Sequence, residues 1–222
     1  MSGEAKGERD LELLESWRGG DTRAGNALFE RHFESVYRFF LHKVPDDATD
    51  LVQRTFLACT EARDRFRGAS SFRTYLFAIA RNELLAFFRK RRNDTDAGAS
   101  SVADLAPSPS TALVRRLEHR LLLEALRTIP IDLQIALELH YWEEMSATEI
   151  AEVLDVPVGT AKSRLRRARE ALAEKITALE DDPQRAKTTL ANLDAWASSL
   201  KQALVSDDHG AGERLPRGGR IP

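Results

Sequence analysis

Apolar residues recur at helical spacing through most of the chain. Leu11, Leu13, Leu14 and Trp17 mark a first helix closed by Gly19-Gly20, and Asp21 caps a second that carries Leu28, Phe29, Phe33, Val36, Tyr37 and Phe40. Pro45-Asp46-Asp47 makes a turn with a new acidic start. From Ala48 the set Leu51, Val52, Thr55, Phe56, Cys59, Ala62 and Phe66 predicts one long buried face, with Asp50, Gln53, Arg54 and Glu61 outside it. A loop over residues 67–71 precedes a helix from Phe72 to about Arg92, which buries Phe72, Leu76, Ile79, Ala80 and Phe87 and ends in Arg89-Lys90-Arg91-Arg92. No stretch alternates with the period of two that a strand requires, and no internal repeat is evident, so the fold class is all-α.

The pattern stops between Asn93 and Ala112, where Asp, Ser, Ala and Pro dominate and Pro107 and Pro109 fall. Such a composition cannot bury a core and reads as a flexible linker. Helices resume from Leu113 to Thr128, pause at Pro130, and continue from Asp132 to about Glu143 with Ile135, Leu139 and Trp142 inward. Past Ile176, Asp181-Asp182-Pro183 breaks the chain. Leu190, Leu193, Trp196, Ala197, Leu200 and Leu204 then mark an amphipathic helix over about 184–205, followed by a Gly- and Pro-rich tail that reads as disordered. The expected organisation is two small helical domains, 1–92 and 113–178, joined by a flexible linker over 93–112. A C-terminal helical extension spans 179–222.

The stretch SATEIAEVLDVPVGTAKSRLRRAR, Ser146 to Arg169, carries the clearest chemistry. Ser146 followed by Glu149 is a capping box, each side chain satisfying a backbone donor that a helix start leaves open. Ala147, Ile150, Ala151 and Leu154 give one short buried face. Pro157 has no N–H and pushes Val156 out of helical dihedrals, so a second helix should begin near Gly159 or Thr160. On it Ala161, Leu165, Ala168, Leu172 and Ile176 make one apolar stripe. Thr160, Ser163 and Arg167 project opposite, flanked by Arg164 and Arg166. A capped helix, a tight break and a second helix with a basic outer face is the geometry that enters a DNA major groove.

Charge and composition narrow the picture. The net charge of −2 hides two basic clusters, Arg81 with Arg89–Arg92 and Lys162–Arg169, so attraction to nucleic acid should be local and steeply salt-dependent. Cys59 is the single cysteine and falls on an apolar face, which excludes an internal disulfide and a cysteine zinc site. The five histidines make no metal-ligand spacing and no nucleophile–base pair, so no cofactor, no metal and no catalytic set is expected. No apolar run is long enough to span a membrane, and the N-terminus lacks the apolar core of a signal peptide, which predicts a cytoplasmic protein without membrane insertion.

These residues resemble bacterial sigma factors of the sigma-70 superfamily, in the small extracytoplasmic-function (ECF) group. The resemblance rests on ATDLVQRTFLACTEARDRFRGASSFRTYLFAIARN, residues 48 to 82, with the FFRKRR run after it. Its second part is LRTIPIDLQIALELHYWEEMSATEIAEVLDVPVGTAKSRLRRAREAL, residues 126 to 172. It implies a non-enzymatic initiation factor that binds core RNA polymerase, directs it to promoters and helps open the DNA. By match to the family, Asp50, Leu51, Gln53, Arg54 and Phe56 would dock on the β′ clamp helices, and the second domain would meet the β flap. Arg54 stands where many members have Glu, a charge reversal at that face. Arg67, Ser70, Ser71 and Phe72 match the loop that receives a flipped base of the minus-ten element, a step that stacking on an aromatic ring favours. Asn82 matches a base-reading position, and Arg81, Arg89, Lys90, Arg91 and Arg92 would hold phosphates. Tyr75 replaces a frequent Trp and would keep its helix packed.

Duplex DNA at the minus-thirty-five element would meet Thr160, Lys162, Ser163, Arg164, Arg166 and Arg167, with Arg169 nearer the buried stripe. Promoter DNA, duplex and single-stranded, is thus the expected partner beside the polymerase, with room for an anti-sigma factor. The alternative class is a free-standing helix-turn-helix regulator, for which the first domain would have no purpose. The extension around Trp196 falls outside the resemblance, and the sequence leaves open how the two domains sit.

Overall fold

The computed structural model describes residues 2–66, 68–95 and 117–180. Every regular element among them is helical: α1 (Ser2–Arg18), α2 (Thr22–Leu41), α3 (Ala48–Ala62), α4 (Phe72–Thr95), α5 (Leu117–Thr128), α6 (Ile131–Tyr141), α7 (Ala147–Leu154) and α8 (Val158–Leu179). Short 3-10 turns at Pro45–Asp47 and Arg63–Arg65 lead into and out of α3. Arg67, most of the expected linker and the C-terminal extension lie outside the described residues.

Local chemistry explains the boundaries. Gly20 takes φ +102°, a conformation costly for any residue with a Cβ, and reverses the chain after α1. Asp21 then caps α2 by accepting the Arg23 amide at 2.9 Å. Gly25 is required by a close approach. A Cβ there would lie 2.7 Å from the indole nitrogen of Trp17, so its absence lets α1 pack against α2.

The first half stacks α1 on α2, α2 on α3 and α3 on α4. Its interior holds Leu14, Trp17, Leu28, Val36, Phe40, Leu51, Val52, Cys59, Phe72 and Leu76. Two stripe residues depart from the expected pattern. Phe33 is 45% exposed, because the stripe on α2 is wider than the helices it packs against can cover, and Leu11 is also exposed. In the second half α8 packs on α5, α6 and α7. Leu122, Leu126, Trp142, Ala168, Leu172 and Ile176 form a cluster of their own.

The two halves also touch. A single buried cluster contains Phe77, Ala80 and Leu84 of the first half together with Ile135, Leu139, Ile150 and Leu154 of the second, and α4 packs along α7.

Candidate nucleic-acid interface

The helix-turn-helix is built as its residues dictate. The Ser146 hydroxyl accepts the Glu149 amide at 3.2 Å, and the Glu149 carboxylate accepts the Ser146 amide at 2.8 Å, closing the capping box. Asp155 ends α7 in the left-handed region, φ 51°, a conformation Asp tolerates better than most residues. The Val156 amide donates back to the Ala151 carbonyl at 3.0 Å. Pro157 supplies the carbonyl that accepts from Thr160 and Ala161 at 2.8 and 3.1 Å, so α8 starts at Val158, one residue ahead of the expected start.

On α8 the stripe Ala161, Leu165, Ala168, Leu172 and Ile176 is buried, which turns Lys162, Arg166 and Arg167 to solvent. Thr160 and Ser163 are half-buried, and the Ser163 hydroxyl donates to the Thr160 carbonyl at 2.9 Å. Arg164 differs from its neighbours. Its side chain is 18% exposed and lies 3.9 Å from the Asp132 carboxylate on α6, so it leans toward the protein rather than off the outer face. Arg166 pairs with Glu170 at 2.6 Å on the surface. Arg169 donates to the Tyr141 hydroxyl at 2.9 Å and lies over that ring, as its place near the buried stripe leads one to expect.

The second basic face runs along α4. Asn82, Arg89, Lys90, Arg91 and Arg92 are exposed, and Arg81 is half-buried beside Asn82, with 3.5 Å between its guanidinium and the Asn82 side-chain oxygen. Two residues expected to meet DNA are placed otherwise. Phe72 is 1% exposed and sits edge-on to Phe66, so it anchors the start of α4 instead of offering a ring to a base. The Ser71 hydroxyl accepts the Thr74 amide at 3.1 Å and caps α4. Ser70 is half-buried, Gly68 turns the loop at φ +71°, and Arg67 lies outside the described residues.

Sequence reasoning missed the residue that holds this loop's root. The Arg18 guanidinium, at the end of α1, donates to the Arg63 carbonyl at 2.6 and 3.1 Å and also to the Phe66 carbonyl. No local pattern signals a contact across 45 residues of chain. The Tyr75 hydroxyl adds a bond to the Ala62 carbonyl at 3.1 Å, consistent with a packing role. Burial pushes the Cys59 thiol up to about 12, so it stays protonated and inert.

The outer face of α3 carries Asp50, Gln53 and Arg54, all exposed, with Asp50 and Arg54 paired at 2.9 Å. Leu51 is the correction here. It is fully buried, facing inward by the helical period, and supports this face from beneath. Phe56 is half-buried, its ring 4.5 Å from Phe29 and 6.4 Å from the exposed Phe33. Next to it Leu57 is 60% exposed, an apolar residue the stripe never assigned. Among the described residues no acidic, His or Cys cluster could hold a metal, and no helix is long and apolar enough to cross a membrane.

Comparison with known proteins matches residues 28–93 to Sigma-70 region 2 and residues 119–172 to Sigma-70, region 4. The chain is 35% identical over 183 residues to the ECF RNA polymerase sigma-E factors of Salmonella typhimurium and Escherichia coli strain K12, covering 77% of this chain and 95% of those proteins. The sigma-E factor of Haemophilus influenzae is 33% identical over 184 residues, covering 77% of this chain and 96% of that protein. Among solved structures, the sigma factor RpoE of Bartonella quintana, in complex with the anti-sigma factor NepR, aligns at TM-score 0.55 and 26% identity over 68% of this chain and 96% of its own. CnrH, in complex with the cytosolic domain of CnrY, aligns at 0.56 and 24% identity over 78% of this chain and 99% of its own, which shows a shared fold.

Proposed function

The chain belongs to the sigma-70 family, in its extracytoplasmic-function group, and from this we propose that it starts transcription by carrying core RNA polymerase to promoters through two separate DNA-reading faces. The observation that supports this most is the pairing, on one chain, of a capped helix-turn-helix whose α8 exposes Lys162, Arg166 and Arg167 with a second helix, α4, that exposes Asn82 and a cationic end. A free-standing regulator needs only the first of these.

In this reading residues 1–92 form the region 2 domain and 113–178 the region 4 domain. The N-terminal part of α8 enters the major groove at the minus-thirty-five element. Lys162, Arg166 and Arg167 are the principal contacts there, Thr160 and Ser163 add hydrogen-bonding groups, and the positive end of the helix faces phosphate. Asn82 reads the minus-ten element while Arg81, Arg89, Lys90, Arg91 and Arg92 hold its backbone. Arg67 and Ser70 contribute from the loop. Asp50, Gln53, Arg54 and the Phe56 edge meet the polymerase clamp helices, with the exposed Phe33 and Leu57 beside them as apolar contacts. The protein works in the cytoplasm, where the polymerase is. It breaks no covalent bond: open DNA is favoured because flipped bases and held phosphates are bound only in that form.

In vitro transcription by purified core polymerase on a library of promoter fragments tests this. Defined start sites should appear only when the protein is added. Replacing Lys162, Arg166 and Arg167 by Ala should weaken promoter binding and flatten its log–log salt dependence by about 0.9 for each phosphate that is no longer neutralised. Duplex binding that never redirects the polymerase would assign the chain to the free-standing regulators instead.

A further inference from the structure

Where α3 ends, three backbone carbonyls accept hydrogen bonds from side chains of other helices. Arg18, the last residue of α1, takes two of them. Its Nε and Nη2 donate to the Arg63 carbonyl at 3.1 and 2.6 Å, and Nη2 donates also to the Phe66 carbonyl. Nη1 pairs with Glu15 at 2.7 Å, which fixes the plane of the fork. The third carbonyl, of Ala62, accepts the Tyr75 hydroxyl of α4 at 3.1 Å. Phe66 is buried among these groups, its ring 4.9 Å from Tyr75, 6.3 Å from Phe72 and 6.0 Å from the Arg18 guanidinium. On the far side of the loop the Ser71 hydroxyl accepts the Thr74 amide at 3.1 Å and lies 2.8 Å from the Thr74 hydroxyl. Residues 67–70 thus run between two fixed ends.

Carbonyls at the end of a helix have no partner within it and need one from elsewhere. Here a planar guanidinium supplies charge-assisted bonds to two of them at once, a geometry that the point charge of a Lys cannot reproduce. Other contacts hold α1 in place. Trp17 lies against Gly25, where a Cβ would collide with it, and the buried Asp10 carboxylate is 2.8 Å from Arg31 Nε and 2.7 Å from His32 Nε2. Those contacts join α1 to α2, whereas Arg18 reaches the chain that leads into the loop. A loop held at both ends has less conformational freedom to lose when a ligand orders it, so binding there is stronger.

We propose that Arg18 is a positioning residue for promoter opening: through the carbonyls of Arg63 and Phe66 it holds the loop before Ser71 ready for an unpaired minus-ten base, without touching DNA itself. The DNA role of the loop rests on the function proposed above; the anchoring does not. The duplex contacts of that reading lie on α8 and its polymerase contacts on the outer face of α3. Loss of Arg18 should therefore impair opening and spare both.

Arg18→Gln in the full chain, assembled with core polymerase on a promoter fragment that the wild type opens, tests the proposal. Permanganate reactivity of thymines in the opened region should fall about tenfold, the size of one charge-assisted hydrogen bond. Core-polymerase affinity and binding to a duplex minus-thirty-five fragment should stay at wild type. Arg18→Lys, which keeps the charge and loses the fork, should fall between the two. On the free chain, trypsin cleavage after Arg63 and Arg65 should quicken about tenfold in Arg18→Gln, with cleavage after Arg166 and Arg167 unchanged. Opening, core affinity and duplex binding that all decline together would mark Arg18 as a general scaffold residue and overturn the proposal. A folded Arg18→Gln chain that opens promoters like the wild type would overturn it too. If Arg18→Gln does not fold, Arg18→Lys takes its place with the same expectations at reduced size. A wild type that opens no promoter defeats the functional reading, and the minus-ten role of Arg18 with it; the trypsin comparison, which needs neither DNA nor polymerase, decides the anchoring separately.

Discussion

Burial at the contact between the halves drives the His42 imidazole down to about 3, and the cations Lys43, Arg127 and Arg38 push in the same direction. The other groups at the contact are Glu138 of α6, Trp142 and Glu143 just past its end, Arg73 of α4 and Glu149 of α7. A ring kept neutral when the halves are together takes up its proton only when they part. His42 therefore lends its full support to the contact above its ordinary value of 6.5 and withdraws it as pH falls toward 3. At pH 5.5 the contact should be weaker by about 1.4 kcal/mol, a tenfold shift toward the open chain. Scattering from the full chain at pH 7.5 and 5.5 measures it, with His42→Phe as the control that removes the dependence; equal dimensions at both values would contradict it. At neutral pH burial pushes the Glu138 carboxyl up and the Lys43 ammonium down, each partly restored by the other. The same scale separates contact from support on the reading faces. Leu51 and Phe72 match family positions, yet both are buried, and they shape the surface from within.

At the scale of elements, α7 and α8 owe their angle to a run of backbone features: the capping box at Ser146, the left-handed Asp155, the amide of Val156 bonded to Ala151, and the fixed φ of Pro157 followed by its accepting carbonyl. Removing one of them has a predictable cost. Ser146→Ala deletes the acceptor for the Glu149 amide and should lower stability by about 1 kcal/mol, read as a lower midpoint in thermal or urea unfolding. Because α7 also packs on α4, the loss should appear in the full-chain transition and not only in a local one. An unchanged midpoint would mean that packing alone sets the start of α7. The loop and α4 face proposed to read the minus-ten element are fixed differently, by Arg18 reaching from α1 to the carbonyls of Arg63 and Phe66 and by Tyr75 bonding to Ala62. Its geometry comes from the packed first half and not from a local motif.

For the whole molecule, the outer face of α3 should report the encounter with polymerase. On adding core polymerase, hydrogen exchange on α3 around Gln53 and Leu57 should slow. Unchanged exchange there would show that polymerase docks elsewhere. The sequence by itself determined the helices among the described residues, the capped start of α7 and the break before α8, the inert buried thiol and the family, because each depends on neighbours in the chain: spacing of apolar residues, a Ser and Glu three apart, a Pro without an amide. It also placed Lys162, Arg166 and Arg167 outside, since a helix that buries Ala161, Leu165 and Ala168 must turn those three away. Only the tertiary structure decided that Arg164 leans to Asp132, that Arg18 roots the loop, that Phe33 and Leu57 stand exposed, and that Lys43 meets Glu138 across 95 residues of chain. The physical reason is the same in each case: periodicity tells which side of a helix is buried, but which partner buries it, and whether a charge finds its counter-ion there, depends on groups that the chain brings together only when it folds.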